Sequence, residues 1–123
     1  MKYSLDYSPP APSLKVEVTR PFSDSSLELR ARLDTGADMT VLPQRAVGEL
    51  RLLPASRVSV SSFDGREGLK YTYFVNLSFS NFEYKMVEVI DGKRPDALLG
   101  RDVLNKLKTV LDGKTLDFGL YDP

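Results

Sequence analysis

The chain has 123 residues, a length that allows one domain with a substantial core but not two lobes. Its 17 basic and 17 acidic residues give a formal net charge of zero, which disfavours nucleic acid or an anionic membrane as the main partner. The absence of cysteine and histidine excludes Ser-His and Cys-His nucleophilic chemistry, disulfides and Cys/His zinc sites. The acid–base groups that remain are carboxylates, lysines and tyrosines.

The N-terminal segment, residues 1–13, contains three prolines and little periodicity. It is predicted to be a loose arm that is either a simple tail or, in a dimer, lies along the partner. The folded domain is predicted over residues 14–119, with a short tail over 120–123. No apolar run approaches the ~20 residues of a membrane helix, and the N-terminus lacks a signal pattern. We therefore expect a cytoplasmic protein with no membrane partner.

Two alternating segments, residues 14–19 and 27–33, predict a pair of antiparallel strands joined by a turn at 23–26. The second strand ends at Asp34, which begins the triplet Asp34-Thr35-Gly36. Glycine lets the backbone turn without a Cβ, so the amides of Gly36 and Ala37 are expected to approach the Asp34 carboxylate. Thr35 is small enough to be buried and needs a partner for its hydroxyl. By itself the triplet is equally typical of an ordinary turn.

The middle of the chain predicts a short helix over 44–50 and then a long hairpin. A strand around Val58 and Val60 reaches a polar tip, Phe63–Gly68, in which Asp64-Gly65 is a strong turn signal. The return strand over 69–79 is expected to bury Tyr71, Tyr73, Val75, Leu77 and Phe79 on one face. An ordinary surface hairpin is the alternative to a functional one.

The remainder predicts a strand from Phe82 to Ile90 and a loop over 91–96. A short apolar strand, Ala97–Leu99, then closes on Gly100. A helix follows over 101–108, and a last hairpin turns at Asp112-Gly113, with Thr115–Phe118 as its second strand.

The string Leu33-Asp34-Thr35-Gly36-Ala37-Asp38, followed by Thr40-Val41-Leu42-Pro43, closely resembles the active-site segment of retropepsin-like aspartic proteases. Ala97-Leu98-Leu99-Gly100-Arg101-Asp102 resembles the second signature of that family. The resemblance runs from the first strand to Phe118. It implies an all-β fold, a closed β-barrel-like acid protease lobe with a β-hairpin flap and one short C-terminal helix.

The resemblance also assigns roles to residues of the loop. Asp34 would be the catalytic acid, supported by Thr35, Gly36 and Ala37, with Thr35 bonding across to the loop of a second subunit. Asp38 would pair with Arg101 and also touch substrate, as would Gly36.

Two further groups of residues take roles from the resemblance. Leu98, Leu99 and Gly100 would pack behind the loop, and Phe63, Asp64 and Gly65 would contact substrate from the flap. The terminal strands of two subunits would interleave.

Peptide hydrolysis without histidine, cysteine or metal needs two carboxyls that share a proton, and this chain has one Asp-Thr-Gly. The other Asp-Gly pairs, at 64–65, 91–92 and 112–113, are predicted to be turns. A two-fold homodimer would supply the second Asp34, and the substrate would be a peptide or unfolded protein bound by strand addition. Ala37 stands where pepsin-like enzymes carry Ser or Thr, so we predict a pH optimum less acidic than that of pepsin.

Three alternatives compete with this interpretation. Asp34 and Asp38 together could bind a metal, but hard divalent ions want more oxygen ligands than the loop offers, so we expect no metal and no cofactor. The chain could be a catalytically silent dimeric peptide-binding module with the same fold. It could also be one domain of a larger or tethered protease, although the start at Met1 weighs against that.

Overall fold

The computed structural model describes residues 1–61, 65 and 67–123, which form nine strands and two short helices. The strands are β1 (Ser13–Thr19), β2 (Ser26–Leu33), β3 (Val41–Pro43), β4 (Ser56–Ser61), β5 (Glu67–Phe79), β6 (Phe82–Gly92), β7 (Ala97–Leu99), β8 (Lys108–Asp112) and β9 (Asp117–Tyr121). The helices are α1 (Gln44–Glu49) and α2 (Arg101–Leu104).

Six strands close into a barrel, which confirms the predicted all-β fold. The sheet order is β1-β2-β7-β3-β6-β5-β4, and β1 also pairs with β5, which joins the two sides of the sheet. Strands β1 and β2 form the predicted antiparallel hairpin. Because β2 and β7 are parallel neighbours, with Leu33 beside Leu99, the chain leaves both strands at the same end of the barrel. Asp34 and Gly100 are therefore brought together there.

The core is formed by the inward residues of the alternating strands. Val16, Val18, Leu29 and Ala31 of β1 and β2 are each at most 2% exposed, as expected for strands with one face against a core. The short α1 confirms the helix predicted over 44–50, and its Ala46 joins the core. Helix α2 adds two further core residues, Val103 and Leu104.

Strand β5 buries its second half as predicted, but Tyr71 was wrongly assigned to the buried face. Its side chain is 54% exposed, whereas Tyr73, Val75, Leu77 and Phe79 are buried. The reason is that the first part of β5 extends beyond the barrel and pairs with β4, which has no other strand partner among the described residues. Phe63 and Asp64, at the tip of this hairpin, lie outside the described residues.

Three predicted boundaries near the C-terminus differ from the structure. Helix α2 ends at Leu104 instead of continuing to 108, because the amides of Lys106 and Leu107 bond to carbonyls three residues back and β8 begins at Lys108. The last strand is Asp117–Tyr121, and Thr115 precedes it in the turn. Asp91 and Gly92 belong to β6, because they pair in parallel with β3.

The N-terminal arm is docked on its own chain. The Met1 ammonium donates to the Phe118 carbonyl at 2.7 Å, and the Tyr3 amide donates to the Leu116 carbonyl at 2.8 Å. Further along, the Tyr7 hydroxyl donates to Asp96; burial, followed by this bond, raises the pKa of the Tyr7 phenol above 10.0. The arm therefore extends the terminal hairpin and then crosses to the barrel. Among the described residues, no helix has the length and apolar character needed to cross a membrane.

Candidate active site

Asp34 is held at the end of β2 by its backbone and by its carboxylate. Its amide donates to the Leu99 carbonyl of β7 at 2.9 Å, which fixes the point where the loop begins. Its Oδ1 accepts a 2.9 Å hydrogen bond from the Gly36 amide, as predicted. The Ala37 amide instead donates to the Asp34 backbone carbonyl at 3.2 Å, so the predicted contact between Ala37 and the carboxylate was wrong. The half-buried Asp34 side chain remains partly open to solvent.

Gly36 and Thr35 form the outer part of this loop. A Cβ on Gly36 would lie 3.2 Å from Asp34 Oδ1, tighter than most real contacts, so glycine keeps the carboxylate in its place. Thr35 is exposed in the single chain, contrary to its predicted burial. Among the described residues its hydroxyl makes no hydrogen bond, which leaves it available to a group outside this chain.

Arg101 braces the loop from the start of α2. Its amide donates to the Ala37 carbonyl at 2.8 Å, and its Nη1 donates to the Thr35 carbonyl at 2.6 Å. Its Nη2 forms an ion pair with Asp38, the contact that the resemblance implied. The Asp38 side chain is 84% exposed, so solvent weakens this pair. Asp38 is therefore engaged by an arginine.

A second, buried support was missed from the sequence. Thr40 is fully buried, and its hydroxyl donates to Asp102 Oδ1 at 2.9 Å while accepting from the Gly100 amide at 3.1 Å. Asp102 Oδ2 accepts from the Thr40 amide at 3.0 Å, and Oδ1 also accepts from the Val103 amide at 2.9 Å. Two features of the sequence could have indicated this contact. One is a threonine inside the apolar run Met39–Leu42, and the other is an acid in the first turn of α2.

Gly100 occupies a position where only glycine fits. A Cβ there would lie 2.7 Å from the carbonyl carbon and oxygen of Met39 and 2.9 Å from the Ala37 oxygen. These are backbone atoms that cannot swing aside, so the β7–α2 turn and the Asp34 loop are in direct contact. Behind them Leu99 is buried, and the half-buried Leu98 pairs with Val41 of β3.

A cleft of about 350 Å³ lies between the loop and β4. Gly36, Ala37 and Asp38 line one side, and Ser59, Val60 and Ser61 of β4 line the other, with Met39, Val41 and Ile90 completing it. This space is suited to an apolar side chain flanked by backbone and hydroxyl groups. Gly65, with φ of +83°, is the one predicted flap contact that the structure describes; it is exposed, and Phe63 and Asp64 lie outside the described residues.

The family model for "gag-polyprotein putative aspartyl protease" matches residues 25–106, which include the Asp34 loop, the cleft and α2. The chain belongs to this family of aspartyl proteases. This confirms the resemblance drawn from the loop and from Ala97–Asp102. Among curated protein sequences, none is significantly similar to the chain.

Solved structures of retropepsin-like proteases share the fold of this family member. A retropepsin-like aspartic protease from Rickettsia conorii is 17% identical with a TM-score of 0.66, over 98% of this chain and 88% of that one. The EIAV protease, solved with the inhibitor HBY-793, is 22% identical with a TM-score of 0.61, over 85% and 92% of the two chains. The protease of Simian Foamy Virus (mac) is 17% identical with a TM-score of 0.53, over 75% and 92%.

Proposed function

We propose that this protein is an aspartic endopeptidase that acts as a homodimer, with one Asp34 carboxyl from each subunit. The observation that supports this most directly is the Asp34 loop itself, where a partly exposed carboxylate is held by the Gly36 amide beside a cleft of mixed polar and apolar lining. The next carboxylate of the loop, Asp38, is engaged by Arg101 and is therefore a poor second acid. A two-fold axis close to Asp34 would supply an identical carboxyl instead.

The reaction follows from two such carboxyls about 3 Å apart, which hold one proton between them. The ionised carboxylate takes a proton from water, and the resulting hydroxide attacks the scissile carbonyl carbon. The protonated carboxyl gives its proton to the carbonyl oxygen, which forms a neutral tetrahedral diol. Collapse of this diol breaks the C–N bond as one carboxyl gives its proton to the leaving nitrogen, while the other, ionised carboxylate takes a proton from a diol hydroxyl, whose oxygen becomes the C=O of the product acid. The products are a carboxylic acid and an amine, and the pair of carboxyls is restored.

The substrate is proposed to be an extended peptide or an unfolded protein. Strand β4 pairs only with β5 among the described residues, so its other edge can accept a peptide strand. Its residues 59–61 also line the cleft beside Asp34. Alternate side chains of such a peptide would enter the cleft, whose lining offers apolar contacts from Val41, Val60 and Ile90 and polar contacts from Ser59 and Ser61.

The first test compares wild type with Asp34→Asn on an unfolded protein between about pH 4 and about pH 7, with new termini read by mass spectrometry. We expect cleavage by wild type and a loss of at least about 1,000-fold in the variant, because asparagine cannot exchange the proton. Asp24→Asn, the same change in an exposed turn, is the matched control and should cleave like wild type.

A mixing experiment tests whether each subunit contributes one carboxyl. Excess Asp34→Asn protein added to wild type should reduce cleavage by forming mixed dimers with one acid. Activity that is independent of the added variant would contradict the shared site. A stable wild-type dimer that binds peptides without cutting them would instead support a silent binding module.

A further inference from the structure

A second groove lies towards the other end of the barrel from the Asp34 loop. Its volume is about 450 Å³, and its walls come from the β1–β2 turn, the segment after α1 and the outer face of β5 and β6. The eight residues of β2 rise about 3.3 Å each, so roughly 25 Å separate the β1–β2 turn from Asp34. A ligand in this groove therefore leaves the cleft beside Asp34 accessible.

The groove combines apolar side chains with two cationic groups. Leu53, Phe74 and Met86 line it, and Leu53 and Met86 are 83% and 46% exposed. Arg20 and Arg51 line the same groove and are also exposed. Among the described residues neither guanidinium has an acidic partner. Apolar side chains that are grouped in this way at the surface, beside charged ones, are typical of a binding site.

Arg51 stands at a backbone position that favours glycine. Helix α1 ends in a Schellman motif, in which the Arg51 amide donates to the Gly48 carbonyl at 3.1 Å and the Leu52 amide donates to the Val47 carbonyl at 3.0 Å. This motif needs a left-handed residue after the helix, and Arg51 takes that conformation with φ of +53°. Glycine is usual there because a Cβ destabilises left-handed backbone. The end of the helix therefore gives no reason for an arginine.

Met86 has the same kind of backbone on the neighbouring strand. Lys85 and Met86 of β6 lie opposite the single residue Asn76 of β5, because the register shifts at this point. Met86 has φ of +55° in this bulge, and its amide donates to Asn76 Oδ1 at 3.0 Å. Glycine is again the usual residue for left-handed backbone in a bulge. The bulge instead holds a methionine whose side chain lines the groove.

A third left-handed residue lies beside the groove. Phe22, with φ of +60° and a side chain that is 97% exposed, directly follows Pro21 of the groove lining. Three of the five non-glycine residues that the described chain holds in left-handed backbone thus lie in or next to this groove. Strained backbone of this kind is characteristic of functional sites, where the side chain serves a purpose other than stability.

We propose that this groove binds a peptide segment that carries an apolar side chain among acidic residues. The apolar side chain would pack between Leu53, Phe74 and Met86, and carboxylates next to it would pair with Arg20 and Arg51. Arginine binds a carboxylate through two parallel hydrogen bonds, which suits it to this role. The groove does not contain Asp34, so this inference goes beyond the proposed function and does not depend on it.

The charge and the shape of the groove favour an acidic peptide over other ligands. None of the described residues that line it is acidic, so its walls do not repel a carboxylate; Glu88 lies opposite Phe74 in the sheet but is not among the lining residues. The groove is open to solvent along the exposed side chains of Arg20, Arg51 and Leu53. A fatty acid, in contrast, is bound best in an enclosed cavity that removes its alkyl chain from water.

The first test measures binding of the fluorescein-labelled peptide Gly-Glu-Glu-Phe-Glu-Glu-Gly to Asp34→Asn protein by fluorescence anisotropy. The substitution keeps any peptidase activity from consuming the probe. We expect a dissociation constant of roughly 100 µM or below, which rises with salt because the charge pairs are screened. Two matched probes, one with lysine for each glutamate and one with glycine for phenylalanine, should each bind at least about tenfold more weakly.

Arg51→Gly, made in the same protein, separates a binding role from a structural one. Glycine fits the left-handed position, so the urea midpoint should stay unchanged or rise, while probe binding weakens at least about tenfold. Arg20→Gln should weaken binding to a similar extent. Arg45→Gln, which removes a charge from an exposed position of α1 outside the groove, is the matched control and should bind within about twofold of its parent.

Each outcome of these measurements decides the inference. Weaker binding in Arg51→Gly and Arg20→Gln, with the urea midpoint of Arg51→Gly maintained and Arg45→Gln unaffected, would support the groove. No binding up to about 1 mM probe, equal weakening by Arg45→Gln, or a lower urea midpoint in Arg51→Gly would overturn it. Oleate that binds more tightly than the probe and displaces it, with the same dependence on Arg51, would overturn the peptide as the occupant. None of these results bears on cleavage at Asp34.

Discussion

Arg101 and Asp102 are neighbours in α2, yet they hold the Asp34 loop in opposite ways. Arg101 reaches outward to the Thr35 carbonyl and to Asp38, whose side chain is 84% exposed. Asp102 reaches inward to Thr40, which is fully buried. Water competes with the outer contacts, whereas a buried polar group that loses its partner has no replacement. The contacts of Asp102 should therefore contribute most of the stability of the loop. The contacts of Arg101 should mainly fix the position of the loop backbone.

Gly100→Ala should break both supports and give the largest effect. The new Cβ would lie 2.7 Å from backbone atoms of Met39, so the β7–α2 turn must move away from the loop. We expect a loss of at least about 3 kcal/mol in the free energy of unfolding, measured in urea. Gly48→Ala in α1, where a Cβ meets nothing within 4 Å, is the control and should stabilise by roughly 0.5–1 kcal/mol. Equal destabilisation by both would contradict this account.

The same isosteric change at Asp102 and at Asp38 separates the inner support from the outer one. The Thr40 amide and hydroxyl both donate to the Asp102 carboxylate. In Asp102→Asn one carboxylate oxygen is replaced by an NH₂ group, which cannot accept, and the remaining oxygen is a weaker acceptor. We expect this change to lower the free energy of unfolding by about 2–3 kcal/mol. Asp38→Asn should cost less than about 1 kcal/mol, and that cost should shrink in high salt. Thermal or urea unfolding at two salt concentrations measures both. The reverse order of effects would show that the outer pair is the stronger support.

Two threonine-to-valine variants test the buried hydroxyl itself. Thr40→Val removes the group that joins Asp102 to the Gly100 amide, and we expect a loss of about 2 kcal/mol. Thr72 is equally buried, but its hydroxyl has no hydrogen-bond partner among the described residues. Thr72→Val should therefore be neutral or stabilising by up to about 1 kcal/mol. If both variants lose stability, the shape of the threonine side chain, rather than its hydrogen bonding, determines the effect of the substitution.

The smallest effect is expected at another exposed ion pair, Lys2–Asp117 at 2.9 Å, which joins the arm to β9. The hydrogen bond from Lys2 lowers the pKa of Asp117 below 3.8. Because the pKa of Asp117 is lower in the folded state, its ionised carboxylate stabilises docking of the arm above pH 3.8. This contribution disappears as the pH falls through the folded-state pKa of Asp117. The protection factor of the Tyr3 amide, which corrects for the intrinsic pH dependence of exchange, should therefore fall in acid. In Lys2→Ala the arm should show less of this acid-dependent change; an unaltered pH dependence would contradict the assignment.

Part of the site was predictable because it depends on local sequence. The alternating strand before Asp34, the glycine after it and the similarity of Leu33–Asp38 to a known signature predicted where the carboxylate lies. The ion pair between Arg101 and Asp38 was implied by the same similarity. The Thr40–Asp102 contact was not found, because it depends on β3 and α2 packing side by side, and 62 positions separate the two residues.

The errors in the predicted elements have the same cause. Alternation predicted that Tyr71 would be buried, but how far β5 projects beyond the barrel depends on its pairing with β4. The pattern over 101–108 allowed a helix of that length. The observed helix is shorter, because β8 pairs with β9 from Lys108 onward.

The sequence by itself narrowed the chemistry open to this protein, because a chain without cysteine or histidine keeps only carboxylates, lysines and tyrosines as acid–base groups. It also determined which segments form strands, because the alternation of apolar and polar residues is a local property of the sequence. Only the tertiary structure decided which groups support Asp34, where the arm docks and which strand edge stays open. Those features are contacts between residues far apart in the chain, and their energies depend on burial and register that no local pattern contains.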